Sequence, residues 1–512
     1  MNSVSARVLT VWLLCFVAGT LAPFNFMAAA GLEHGLQLFQ YGTLERDPVH
    51  FLLNLLLFVP LGFLLHHAGR RRSLALPIVV LAGVAGMVIS GTVEYLQAFL
   101  PTRDSSLIDV LANTVGSIVG AVVGRRWGVS AESRLVRWRA ATSTGMLAGL
   151  LGSFLIVALV VSGTLQARSR LSNWDSGYPL LIGNEHTSDR PWRGRVLSLD
   201  ITDAATPAAI VRRFSAGEVV GLPGAPIGSF VFDGRPPYQD ASGTVPDLEW
   251  RERSHTPGPV DGWLPARSWL ESGSPASGLA QRLRQTNAFT LRVRCATEDT
   301  SQDGPARILS SSVSPYLRNF MLGQQGSDLV FRLRTPDTGL NGYPLEVYVP
   351  GIFTDRREHE ILATYDGATL LVAMAHDNYV SRTELTPGAG LALMFPSLEV
   401  RPGELQMWEV AYVGAWSLVP GALIGLLGHS GRQRLAFSLA WVFGFAVLLE
   451  ATIVGVSGRF FDRADVAEAT GIAAGVLIVC NATLSSARLP WRRSIAVRAD
   501  ESRRDALENQ PG

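Results

Sequence analysis

Hydrophobicity in this chain is segregated, and that segregation limits what it can become. Residues 1–165 and 409–485 are apolar and broken only by short Arg-rich stretches, whereas residues 166–405 are polar and rich in Gly, Pro, Ser, Thr and Asp. A mean hydropathy of +0.22 alongside 17% charged residues is the average of these two materials. Two apolar blocks around a polar one exclude a single soluble core and point to membrane helices flanking an inserted soluble domain. The net charge of +1 gives no basic field for nucleic acid. Cys295 is the lone cysteine of the polar region, so that domain must fold without an internal disulfide.

A spanning helix needs roughly 20 mostly apolar residues. Eight segments qualify: 8–26, 51–68, 74–99, 106–124, 143–165, 409–428, 435–457 and 466–485. The Arg-rich loops 69–72, 125–139 and 429–434, and the tail 486–512, then fall on one side, which the positive-inside rule makes cytoplasmic. The expected setting is the bacterial cytoplasmic (inner) membrane, with 166–405 extracytoplasmic and 486–512 a disordered cytoplasmic tail. Arg7, a short apolar run and Met27-Ala28-Ala29-Ala30 also have the form of a cleaved signal peptide.

Polar residues stand at fixed places in the apolar helices of the N-terminal block, around a Phe58-Val59-Pro60-Leu61-Gly62 run and Gly116. They are Asp47, His50, Asn54, Arg70, Glu94, Gln97, Arg103, Asp109 and Asn113. The pattern resembles the VanZ-like family, which has an N…LLF.PLG helix, an E..Q helix ending in an R, and a D…N..G helix. That resemblance implies a four-helix membrane domain (residues 1–142) in the cell envelope, linked by its family name to glycopeptide resistance. It does not imply an established activity. Glu94 and Gln97 share one helix face, as do Asp109 and Asn113. A carboxylate near the bilayer centre costs ~2.5–3.5 kcal/mol, so the candidate membrane site is Asn54, Glu94, Gln97, Arg103, Asp109 and Asn113. It reads either as an ion-paired clasp of helix ends or as a polar pocket for an envelope ligand. Gly116, Gly120 and Gly124 recur every fourth residue, a spacing for close helix packing.

The charges recur later. Glu450, Arg459 and Asp465 repeat the nine- and six-residue intervals of Glu94, Arg103 and Asp109, while Gly414, Ile453 and Ala469 replace Asn54, Gln97 and Asn113. The expected architecture is two four-helix halves, the second degenerate (409–485) and joined by the fifth span, 143–165. Matching of the first span to the fifth favours its retention over cleavage. Loss of the amides predicts that Arg103 matters more than Arg459.

In the polar region, 289–294, 328–334, 345–349 and 368–374 alternate as short strands between turns. The runs Gln302–Ile308, Arg318–Gln324 and Thr338–Tyr343, with Trp174-Asp175, Leu181–Glu185 and Arg190–Gly194, resemble laminin-G-like domains of the concanavalin A-like jelly-roll class. That resemblance implies an all-β sandwich and carbohydrate binding. Because the Trp174–Gly194 motifs precede the others instead of following them, the domain is expected to be circularly permuted. Asp247, Glu249 and Glu252 read as a solvated loop. His186, His359 and His376 lack metal spacing, and no catalytic, metal or cofactor motif stands out. The leading reading is envelope-ligand binding or sensing, with membrane lipids and a cell-wall glycan or lipid-linked precursor as partners and no nucleic acid. The alternative is a membrane enzyme or transporter acting on an envelope lipid or lipid-linked sugar.

Overall fold

A computed structural model describes residues 48–69, 75–97, 99, 106–234, 237–252, 263–264, 268–343, 345–395, 400, 402–427 and 430–485, together with 13, 16, 20 and 21. The expected first span (apart from those last four positions), Asp47, Arg103, the arginines at 70–72 and the tail from 486 lie outside these residues. The chain divides into two compact units. One comprises 1–153, 415–442 and 473–512; the other comprises 154–414 and 443–472.

In the first unit, helix α1 (Pro48–Gly69) packs on α2 (Ala75–Gln97) and α3 (Leu107–Ala141). The expected cytoplasmic loop 125–139 is helical instead and lengthens α3 to 35 residues. No proline interrupts it, and its Ala, Arg, Glu and Leu content favours continued helix. The Gly116/Gly120 stripe is where α3 touches α1. A Cβ on Gly116 would overlap the carbonyl oxygen of Leu55, and one on Gly120 that of Val59; from the other side, a Cβ on Gly62 would overlap the Ser117 carbonyl. Only backbones without side chains between them approach this closely in an apolar solvent. Phe16 and Leu21 join Phe58, Leu61 and Val93 in one buried cluster.

The second unit is built on two antiparallel sheets. The strands are β1 (Leu180–Ile182), β2 (Gly194–Thr202), β3 (Pro226–Val231), β4 (Leu248–Glu252), β5 (Trp263–Leu264), β6 (Ser268–Ser272) and β7 (Phe289–Thr297). They continue with β8 (Ala306–Ser314), β9 (Leu317–Gln325), β10 (Asp328–Leu333), β11 (Glu346–Val349), β12 (His359–Tyr365), β13 (Thr369–Met374) and β14 (Val380–Glu384). One sheet runs β11-β10-β9-β8-β1-β6-β4. The other runs β14-β13-β12-β7-β2-β3, with β5 on β2. Alternation puts Phe289, Leu291, Val293 and Cys295 of β7 into the shared core with Leu329, Phe331 and Leu333 of β10. On the opposite face of β7, Arg292 pairs with Asp200 at 3.2 Å. The segment 247–252, expected as a loop, holds strand β4. Leu248 and Trp250 face the core, and the alternation is short enough to be hidden between Pro- and Ser-rich flanks.

The motifs quoted from distant parts of the polar region meet in space. Trp192 Nε1 donates to Gln324 Oε1 at 2.8 Å, and Gln302 Nε2 donates to the same oxygen at 3.1 Å and to the Arg193 carbonyl at 2.9 Å. Strands β1 and β2, the earliest in the chain, are interior strands of their sheets.

The remaining helices are α4 (Thr144–Gln166), α5 (Ala208–Ser215), α6 (Ser277–Thr286), α7 (Pro387–Leu393), α8 (Leu405–Leu427), α9 (Gly431–Ser457) and α10 (Arg463–Ser485). Among the described residues, six segments are long and apolar enough to cross a membrane: 78–97, 107–126, 144–169, 402–427, 431–457 and 463–481. The sandwich caps the end of α9. Asn287 Nδ2 donates to Ser457 O at 2.5 Å and Arg170 Nη1 to Val456 O at 3.0 Å, satisfying carbonyls that a helix end leaves open. Gly458 leaves the helix at φ +85°, a left-handed turn open to glycine.

Candidate functional site

In the first half, α2 carries Glu94 and Gln97 near its end, and α3 carries Asp109 in its first turn. Glu94 is buried, and its Oε2 accepts the backbone N–H of Ser106, the residue just before α3, at 2.8 Å. Gln97 Nε2 donates to Thr20 O at 2.9 Å, and Asn113 Nδ2 to Ser90 Oγ at 2.8 Å. Asn54 on α1 has a buried Nδ2 with no partner among the described residues. The amides thus serve separate contacts, while Glu94 ties the end of one helix to the start of the next.

The second half repeats that tie and extends it. Glu450 Oε1 accepts the N–H of Asp462, just before α10, at 2.9 Å. Arg459, only 4% exposed, reaches with Nη2 to Glu450 Oε2 and, at 2.7 Å, to Asp465 Oδ2. The three charges with repeated spacing are one ion-paired group. Arg382 of β14 adds contacts to Glu384 and, at 3.1 Å, to Asp462. Burial pushes the Glu384 carboxyl above its usual range, against the opposing pull of Arg382.

A cavity of about 350 Å³ opens beside this group. The charged residues on its wall are Arg382 and Arg459 against Glu384, Glu409, Glu450, Asp465 and Glu468. Glu409 Oε2 accepts the Gly388 N–H at 2.8 Å, so α8 is tied to the start of α7. Arg382, Glu384, Glu409 and Glu468 were not singled out from sequence. Glu409 had a signal, an acid inside an otherwise apolar helix. Arg382 had none, because it reaches the site only through the sheet.

The sandwich also holds a largely buried polar stripe. Glu346, Arg332, Met321, Ser310, Leu181, Glu271 and Glu249 are successive cross-strand partners on the face away from the apolar core, and all but Glu346 and Glu249 are buried. Nearby, Glu185 pairs with Arg307 at 3.3 Å, both buried, and also accepts from Ser312. His186 Nδ1 lies 3.1 Å from Glu271 Oε1. The neighbours of the expected Glu249 loop therefore include a second carboxylate directly across a strand pair.

Among the described residues, six segments long and apolar enough to cross a membrane, with a two-sheet sandwich between them in the chain, fit the class of polytopic membrane proteins. Residues 5–128 match the family model VanZ/LLP1, so this part of the chain is a VanZ-like domain. No curated protein and no solved structure matches the chain.

Proposed function

We propose that this VanZ-like protein binds or senses an envelope ligand on the extracytoplasmic side of the bacterial inner membrane, the ligand being a glycan, a lipid-linked precursor or a glycopeptide. The observation that carries this reading is the 350 Å³ cavity, which is of ligand-site size and is walled by the sandwich strand β14 together with α8, α9 and α10. An ion-paired clasp alone needs no such space. The Arg-rich segments support a cytoplasmic placement of the opposite helix ends. The laminin-G-like motifs support a carbohydrate-binding role for the sandwich, with its early strands permuted from the end of the domain.

The test is a screen of envelope lipids and glycans against the purified full-length protein, repeated with Ala469→Phe, which fills the cavity from α10. Binding that is retained by the wild type and lost in a folded Ala469→Phe protein supports the reading. Absence of binding, or binding indifferent to the substitution, overturns it.

A further inference from the structure

The charge balance and the unsatisfied donor of the cavity narrow the ligand chemistry. Two guanidiniums face five carboxylates there, and both guanidiniums are already engaged. Arg459 is held by Glu450 and Asp465, and Arg382 by Glu384 and Asp462. Among the described residues, Glu409 and Glu468 have no cation within ion-pair distance. Glu409 accepts the Gly388 N–H and a hydrogen bond from the Thr386 side chain, both neutral donors, and Glu468 meets only the Gln406 amide, at 3.3 and 3.4 Å. An unpaired carboxylate at a cavity wall favours a cationic group in the cavity.

A second observation is independent of this balance. Arg459 is almost fully buried, lines the cavity, and its Nε has no acceptor among the described residues. A buried donor without a partner is unfavourable, and an acceptor oxygen would relieve that cost. Apart from Thr386 and Gln406, the rest of the wall is apolar, including Leu405, Val413, Ala446, Leu449, Ile453 and Ile472 on helices of membrane-spanning length.

We propose that the cavity takes the head end of a zwitterionic amphiphile. Its primary ammonium sits against Glu409 and Glu468, an acceptor oxygen sits at Arg459 Nε, and its apolar part runs along α8, α9 and α10. This rests on the cavity being the ligand site. An ethanolamine phospholipid and an amine-bearing lipid-linked sugar share the required chemistry. A headgroup with phosphate and no amine does not, because the cavity already carries an excess of negative charge.

Full-length protein is reconstituted with phosphatidylethanolamine, phosphatidylcholine, phosphatidylglycerol or an aminated lipid-linked sugar, and retained ligand is read by native mass spectrometry. The expected result is that at least one primary-amine amphiphile is retained about tenfold more than phosphatidylglycerol, and that Glu409→Gln or the surface variant Glu468→Gln removes the preference. The quaternary amine of phosphatidylcholine, which lacks N–H donors, should be held less well than phosphatidylethanolamine. Which amine-bearing arm is retained identifies the source. Equal retention of phosphatidylglycerol, or an amine preference that survives both Glu→Gln variants, overturns the proposal. If phosphatidylglycerol is the ligand retained, and Ala469→Phe still displaces it, only the amine assignment falls. If Ala469→Phe displaces nothing, the ligand-site reading falls with it.

Discussion

Glu450 accepts the backbone N–H of Asp462 twelve residues further on, at 2.9 Å, and Glu94 stands in the same relation to Ser106, at 2.8 Å. In each half the carboxylate leaves the end of one helix and binds the N–H of the residue that opens the next. In each half, too, an aspartate (Asp109 or Asp465) occupies the third position of that next helix. A negative charge is favoured at a helix start, where backbone N–H groups lack partners. The two turns between helices share this geometry.

Arg459 shows what that turn depends on. Ranking from sequence put Arg103 first because the second copy lost its amides; Arg103 lies outside the described residues, whereas Arg459 can be placed. Arg459 is 4% exposed and compensates two carboxylates, so Arg459→Ala should destabilise the folded protein by about 3–5 kcal/mol. Glu450→Gln added to Arg459→Met should recover part of the loss by removing one stranded charge. Denaturant unfolding in mild detergent, followed by tryptophan fluorescence, measures both. A full-stability Arg459→Ala protein would show the ion pair to be incidental.

The legible parts of this chain were those written in local pattern. Apolar length gave α2, α4, α8, α9 and α10 to within a few residues, and alternation gave β7, β10, β11 and β13. The equal spacing of Glu450, Arg459 and Asp465 singled out residues that the turn brings together. What stayed hidden was decided elsewhere. The continuation of α3 through 125–139 was masked by its Arg content, which topology rules assign to loops even when backbone propensity is helical. Glu409, Gly388 and Arg382 converge only because β14, α7 and α8 follow one another around the cavity.

The glycine stripe on α3 gives a prediction about the VanZ-like domain itself. A side chain at Gly116 meets a backbone carbonyl on α1, which cannot move aside as a flexible side chain could. Gly116→Ala should therefore destabilise the domain by about 1–3 kcal/mol. Gly91→Ala on α2, where nothing lies within 4 Å, should be neutral or slightly stabilising through helix propensity. Thermal inactivation profiles on fluorescence-detected size-exclusion chromatography distinguish these outcomes, and similar losses for both would refute the packing argument.

Asp366 predicts a pH dependence. Burial raises its pKa, although its carboxylate accepts the N–H groups of Thr369 (2.7 Å) and Ala368 (3.2 Å), which pull the other way. A carboxyl whose folded pKa is raised holds its proton more tightly in the folded state. Its contribution to stability is complete below the unfolded value, near ~3.9, and is lost as pH rises through the folded one. The stability of the wild type relative to Asp366→Asn should thus fall as pH increases above about 4. Unfolding midpoints of the two full-length proteins across acid to neutral pH provide the check, and a constant or rising difference would contradict the assignment.

The sandwich predicts its own dependence on the earliest strands. β1 lies between β8 and β6, and β2 between β7 and β3 with β5 also on it, so removing residues 166–202 splits both sheets and exposes edges of β6, β8, β7, β3 and β5 to pairing with other chains. A 166–405 fragment should fold cooperatively, and a 203–405 fragment should aggregate. The two ends of the domain are close enough to be rejoined. Gln166 Nε2 donates to Leu385 O at 2.9 Å, and a Cβ on Gly390 would lie 3.6 Å from Leu165 O, while Leu405 is in the core. A rearranged chain running 203–405, a short Gly-Ser linker, then 166–202 should regain the cooperative urea transition of the 166–405 fragment, because it restores both interior strands in their registers. That order places the Trp174–Gly194 motifs after the others, as the permutation reading requires. Cooperative folding of 203–405 alone would sink the argument, and so would failure of the rearranged chain under conditions where 166–405 folds.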